Sequence, residues 1–487
     1  MSATTPPSDP TGSARDPETT AARTTEAEAG EERARPTPLT PERGAGERGD
    51  AQTAVGHLRQ IDKLMTQSKG RFHDEVPSGY PTLPEEEALE RLRAGRPVEH
   101  VYIDRLTLTG EFPKGVLLRD VYIKSLALTE VRFSQSITLQ ACHVHRLFAE
   151  DCVVQESFVL KRTELTISYM RCCELLKGLN CESLKVRSKF LMSKCVVKGR
   201  LRFWEALFDD WVQFEDCTFE ERFDFRSAEC AAGLSALRSR FLGPALFRGA
   251  HVALKLELNG SRFEDLVDLS KAKLHDFVYL DDIEQGERQR WAFWNTVSER
   301  ILVRPEQVEG RLLSEEQGDY AKAMREYGVL KRSYEHEHLY SYDDWAFYRF
   351  KVNERRARGA SWSRPWTKLV ELFDWILLDW GCGYGTDPLK AVRAALVMVL
   401  FFAVIYTLGF HKVYPIEQPP FSYLPKDALL NQFGVSLFLS VAAFTSGFGD
   451  LRESVMDWMN VPLMIEALLG TLLWGLFIVA FGRKVVR

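Results

Sequence analysis

The 487-residue sequence has no CxxC pair, no glycine-rich phosphate loop, no G-x-S-x-G elbow and no H-E-x-x-H pair. The first absence argues against a zinc site. The others remove the usual sequence marks of nucleotide binding, serine hydrolysis and zinc proteolysis, so no enzymatic activity is expected. Excess charge is also missing. With 63 Lys and Arg against 68 Asp and Glu, the formal net charge is -5, and no nucleic-acid partner is expected. Met1 to Gly56 contains no aromatic residue and, after Met1, only Leu39 and Val55 as sizeable apolar side chains. Such a segment cannot bury enough surface to offset the entropy of ordering, so residues 1–56 are expected to be a disordered tail. The tail also lacks the apolar core of a secretory signal, which predicts that the region C-terminal to it stays in the cytoplasm.

Nine cysteines are an odd number, spread along a chain with no export signal. Reduced, buried thiols are expected in place of a disulfide framework. His143 and His145 lie two apart on an expected strand and share a face, which alone is weak ground for a metal. His336 and His338 fall on different faces of an expected helix and make no pair.

What the sequence does contain is a repeat of about twenty-two residues. One apolar column reads Phe112, Phe133, Val154, Leu175, Val197, Phe219, Phe241, Phe263. A second pairs residues two apart: Val116/Leu118, Ile137/Leu139, Phe158/Leu160, Leu179/Cys181, Leu201/Phe203, Phe223/Phe225, Ala245/Phe247, Val267/Leu269. A shorter third column is Cys152, Cys173, Cys195, Cys217. Apolar residues two apart give the period of short strands. A unit this short cannot bury its own apolar face, and stacking coil on coil does so, which predicts a β-helix. At about 4.8 Å per coil, eight coils make a rod roughly 40 Å long. The region resembles degenerate pentapeptide-repeat β-helices, with coils one or two residues longer than four pentapeptides. Such a rod is expected to be a binding surface for an unidentified cytoplasmic regulator or partner, a sensor or a DNA-mimicking rod, or else a spacer and oligomerisation scaffold.

After Phe277 the pattern turns helical. Tyr320, Met324, Tyr327 and Leu330, then Leu339, Trp345, Tyr348 and Val352, predict two or three amphipathic helices ending in the basic run Arg355-Arg356-Ala357-Arg358. From Trp366 to Trp380, apolar residues at helical spacing with aromatics at both ends predict a helix lying in a membrane interface. Gly383-Tyr384-Gly385, followed by Asp387-Pro388, is expected to be a turn.

Two stretches reach membrane-spanning length, one over Ala394 to Phe410 with its flanks and one from Val461 to Phe481, where Glu466 is the single charge. Basic residues gather outside them, at Lys390, Arg393, Arg483, Lys484 and Arg487, and are sparse in the connection. The positive-inside rule then places both termini in the cytoplasm, with residues 411–460 facing outward, in a multi-pass protein of the cell (inner) membrane. Within that connection Phe433 to Phe444 is apolar but too short to cross. A re-entrant helix of this kind is permitted where the irregular backbone after it lines a cavity or is buried in protein. No arginine-rich voltage-sensing helix is present.

Directly after that short helix comes Thr445-Ser446-Gly447-Phe448-Gly449-Asp450. The order of span, short helix, T-x-G-[YF]-G-D and second span, over about residues 390–487, resembles the two-span pore of prokaryotic potassium channels. The resemblance implies a homotetramer in the lipid bilayer with K+ as the permeant ion and no cofactor. It makes residues 445–450 the selectivity filter, with Gly447 and Gly449 turning carbonyls towards an axis, Thr445 giving the innermost oxygens, Phe448 packing outward and Asp450 at the outer mouth. Ser446 stands where the family has a branched aliphatic residue, and Phe444 where it often has a second Thr, so cation conduction is better supported than strict potassium selectivity. Gly470 lies near the usual place of a hinge glycine and Gly475 follows; packing by small residues explains both equally well. Glu466 is expected to brace the pore helix or filter.

The expected organisation is therefore multidomain: disordered tail 1–56, helical cap 57–100, cytoplasmic β-helix solenoid 101–280, α-helical linker with an interfacial helix 281–388, and an all-α two-span re-entrant-pore channel domain 389–487. The alternative is a membrane-anchored scaffold whose solenoid binds a protein partner.

Overall fold

The structure is a computed structural model that describes residues 76–358, 365–413, 421, 423–446 and 455–486. The tail expected over 1–56, and the cap as far as residue 75, lie outside the described residues.

Strands from Val98–Glu99 to Val297–Leu302 wind into a parallel β-solenoid of about nine turns. One face is a ten-stranded ladder that runs in chain order from Val98–Glu99 to Trp291–Ala292. The apolar columns of the sequence are lanes of this structure. Phe133 pairs with Val154, Val197 with Phe219, Phe219 with Phe241 and Phe241 with Phe263, all in parallel register. On the ten-stranded face Leu118 pairs with Leu139, Leu201 with Phe223 and Ala245 with Val267. Stacking in register puts like on like inside. The rings of Phe219 and Phe241 are 5.0 Å apart and those of Phe241 and Phe263 4.6 Å, close to the inter-strand spacing. Cys152, Cys173, Cys195 and Cys217 are buried and free, and Ser239 and Ser261 continue their lane.

The corners of the coils share a backbone form. Most coils hold two residues in the left-handed region, one in the series Asp120, Ala141, Arg162, Ser183, Glu205, Ser227 and one in the series Glu130, Asp151, Cys172, Lys194, Asp216, Arg238. L-residues pay about 1–2 kcal/mol for this conformation. Backbone hydrogen bonds to the next coil hold it in place, such as Asp120 N–H to Gln140 O and Ala141 N–H to Lys161 O.

Both ends of the solenoid are covered. Helix α1 (Glu85–Arg93) buries Ala88 and Leu92 against the first coil, and its Glu85 carboxylate accepts from the Thr107 backbone N–H. At the other end strands continue past the expected boundary at residue 280, through Glu284–Gln285, Trp291–Ala292 and Val297–Leu302. The apolar columns fade there because polar Gln285 faces Phe263, and Trp291 faces Val267 across a longer step, 267 to 291. Two single-turn helices (Pro305–Val308 and Leu313–Glu316) come next, then α2 (Tyr320–His336) and α3 (Tyr340–Arg358). These are the amphipathic helices expected from the spacing, and α2 seals the last edge strand. Ser333 Oγ accepts from Ile301 N–H, the Tyr334 hydroxyl donates to Val303 O, and Glu326 accepts from Phe293 N–H.

The segment expected to be an interfacial helix is α4 (Pro365–Phe373), continued by a π-helical stretch over Asp374–Trp380. Its Val370, Phe373, Trp375, Ile376 and Trp380 are exposed, and Trp366 is 77% exposed. Gly383, Tyr384 and Gly385 form the expected turn, with three successive left-handed residues at φ 55°, 56° and 80°. Asp387 then caps α5 (Pro388–Leu408) by accepting from Leu389 N–H, with Pro388 in the first turn where its missing donor costs nothing. Helices α6 (Leu429–Ser446) and α7 (Asn460–Val486) complete the chain. The region of α5 and the region over Asp457–Val485 are long and apolar enough to cross a membrane.

Candidate pore and its support

Helix α6 lies against both α5 and α7. It runs from Leu429 to Ser446, longer than the apolar stretch Phe433 to Phe444 read from the sequence. The extra turn at its start is fixed by Asn431, a buried side chain that accepts from Phe421 N–H at 3.2 Å and donates to the carbonyls of Leu424 and Pro425. Those bonds satisfy backbone groups of the entering chain, which a buried environment requires.

Near the start of α7, Glu466 is 0% exposed and joins all three helices. The Tyr406 hydroxyl of α5 donates to one carboxyl oxygen at 2.6 Å, and Ser440 of α6 meets the other in a short contact. Ser440 Oγ also lies 2.9 Å from Val399 O, so one hydroxyl touches both flanking helices. Glu466, expected to brace the pore helix or filter, thus contacts the short helix through Ser440. Tyr406, Ser440 and Asn431 were not singled out from the sequence. The available signal was a polar side chain inside each otherwise apolar helical run.

Gly470 stands where α7 crosses the end of α6. A Cβ there would sit 2.9 Å from Phe444 O and 3.0 Å from its ring, so the glycine permits close helix packing. Gly475 has open space around its Cβ position. Thr445 occupies the last turn of α6, with its hydroxyl donating to Val441 O at 2.8 Å. Ser446 ends the helix. Gly447, Phe448, Gly449 and Asp450, the remaining candidate filter residues, lie outside the described residues.

The excursion that holds α6 closes at its base. Val413 and Val455 form an antiparallel bridge, Met456 N–H donates to Lys412 O, and Lys412 pairs with Asp457 at 2.6 Å. The chain thus leaves α5 and returns to α7 at nearly the same point, with α6 folded between them.

At the opposite ends of α5 and α7 sits α3. Arg483 of α7 pairs with Asp344 at 3.0 Å and stacks over Phe347 at 4.5 Å. Lys390 of α5 lies 4.3 Å over the Tyr348 ring. Arg355 and the Tyr348 hydroxyl both reach Asp379 at 2.7 Å, and Arg358 pairs with Asp374. Burial and donation to Asp379 push the Tyr348 hydroxyl up to about 12, so it stays a donor. The same α3 is tied back to the solenoid side through Arg349 and Glu315, 2.9 Å apart. The segment Asp374–Trp380 is therefore one of the elements that α3 holds together.

His143 stacks on Tyr122 with centroids 4.3 Å apart and faces Glu164 at 3.5 Å, a lane of ring and charge contacts along the solenoid wall. No family model, no curated protein and no solved structure matches the chain.

Proposed function

We propose that the chain is a homotetrameric potassium or monovalent-cation channel of the cell membrane, with a cytoplasmic solenoid that regulates or localises the pore. The observation that carries this reading is the short apolar helix α6. It is folded between two membrane-length helices, contacts buried Glu466, and ends on Thr445-Ser446, the first two residues of the run Thr445-Ser446-Gly447-Phe448-Gly449-Asp450. A polar residue buried at membrane depth costs several kcal/mol unless hydrogen bonds offset it, and Tyr406 and Ser440 supply partners that tie Glu466 to the short helix. The six-residue sequence supplies glycines for carbonyls that replace the hydration shell of K+. Contacts of α3 with both membrane-length helices give the solenoid a mechanical route to the pore.

The test is K+ flux from liposomes containing the full chain. Gly447→Ala and Gly449→Ala are expected to abolish flux while a tetramer persists in detergent, and Glu466→Leu to weaken both tetramer and flux. Undiminished flux in both glycine variants overturns the filter assignment. A wild-type monomer or dimer without flux points instead to a membrane-tethered scaffold.

A further inference from the structure

We propose that the wedge between the interfacial segment, α5 and α7 is a binding site for an anionic glycerophospholipid of the cytoplasmic leaflet. The inference rests on the membrane reading above, but not on ion conduction.

Two cavities share a wall formed by Trp380, Ala394 and Val397. The first, of about 630 Å³, is lined by apolar side chains and Gly381, with Leu372, Ile376, Phe401, Ile465 and Leu473 among them. Its size falls in the range of small-molecule sites, roughly 300–1,000 Å³, but it offers a water no polar partner. Hydrocarbon is the chemistry that fits it. The second cavity, of about 710 Å³, adds Tyr348, Asp379, Lys390 and Arg393.

The charges of this second cavity do not cancel. Asp379 is already matched by Arg355 at 2.7 Å and accepts from Tyr348. Lys390 rests over the Tyr348 ring, and exposed Arg393 has no carboxylate within ion-pair distance among the described residues. The two cations are three positions apart on α5, on one face and about one turn from its start. Trp375 and Trp380 border the same cavity, as aromatic side chains do at headgroup depth. One molecule that meets both cavities has an acyl chain and a phosphodiester carrying net negative charge. A helix from a second copy is a poorer occupant. The outward stripe of α5, for example, is Leu396, Leu400, Val404 and Leu408, which fills the first cavity and leaves both cations without a counter-charge.

The experiment uses the full chain, purified in detergent and incubated with equimolar phosphatidylglycerol and phosphatidylcholine, with retained lipid quantified after gel filtration. Wild type is expected to enrich phosphatidylglycerol, each cation favouring the anionic lipid roughly fivefold. Lys390→Gln with Arg393→Gln brings retention to parity, and Val397→Trp lowers the retention of both lipids. Equal retention by wild type overturns the proposal, as does enrichment that survives the charge variants. Should the variants fail to fold, thermal unfolding of wild type in nanodiscs decides: an upward shift with phosphatidylglycerol supports the site and no shift overturns it. Disulfide cross-linking between Val397→Cys copies assigns the wedge to a second copy instead. Flotation with vesicles of either lipid separates the two readings. A chain that does not float removes the membrane reading, whereas one that floats without lipid preference removes only this site.

Discussion

In the solenoid Phe219, Phe241 and Phe263 lie fully inside while Arg238, Arg240 and Arg262 face out. In α5 to α7 Leu396, Phe401, Leu408, Ile478 and Val479 face out, while Asn431, Ser436, Ser440 and Glu466 lie inside. The same side-chain types thus occupy opposite positions in one chain. In water, apolar area is stabilised by leaving the solvent, at about 25 cal/mol per Å². In hydrocarbon that drive vanishes, and helices associate through close packing and interior hydrogen bonds. The Glu466 contacts with Tyr406 and Ser440, and the close approach at Gly470, are the devices expected of the second solvent.

The sharpest way to break this contrast is to remove one large apolar side chain from each region. Phe219→Ala opens a cavity in the stacked core and is expected to cost about 3–5 kcal/mol, whereas Leu408→Ala, at 81% exposed, is expected to change stability by about 0.5 kcal/mol or less. Chemical unfolding of the full chain in detergent measures both. Comparable losses would mean that α5 is packed against protein along that stripe.

Two of the glycines of α7, Gly470 and Gly475, sharpen the packing side of the comparison. Gly470→Ala forces a Cβ onto Phe444 and is expected to destabilise by about 1–3 kcal/mol, while Gly475→Ala meets open space and should gain up to about 1 kcal/mol from better helix propensity. A hinge role at Gly470 would appear differently, as altered flux with unchanged stability.

A pH-dependent effect of comparable size is expected at buried Glu326. Glu326 is placed at the solenoid end, where it accepts from Phe293 N–H and meets Ser314. Burial raises its carboxyl from 4.5 to about 6 against the pull of those donors. The folded chain therefore holds this proton more tightly than the unfolded one. The stability it contributes is complete below pH 4.5 and falls away as pH rises through 6, by roughly 2 kcal/mol. Stability measured against pH should show this slope, and Glu326→Gln should flatten it. A slope unchanged in the variant would assign the titration to another group.

Much of the solenoid was legible in the sequence because each coil repeats the same demand. Phe112 to Phe263 and Val116/Leu118 to Val267/Leu269 recur in register, and each column became a lane. The end of the solenoid was not legible, because polar Gln285 follows Phe263 in its lane, Trp291 follows Val267 only after a longer step, and coverage by α2 replaces a further coil. The left-handed corners also left no signature. Asp120, Ala141, Arg162 and Ser183 share a conformation but no chemistry, because the neighbouring coils and not the side chains hold it. In the helical module the sequence marked Glu466 as unusual and held polar Tyr406 and Ser440 within apolar runs, but their pairing with Glu466 depends on how the helices pack.

By itself, then, the sequence determined the periodic parts of this protein: a stack of strands from a period of two within a repeat of about twenty-two residues, and two helices from unbroken apolar runs. A period acts locally and recurs, so any one coil reports on the rest. Only the tertiary structure decided which single residues meet. Glu466 joins Tyr406 and Ser440, Gly470 admits Phe444, and α3 gathers Asp379, Lys390 and Arg483. Each of those contacts joins residues far apart in the chain, and it is the packing of the helices that brings them together.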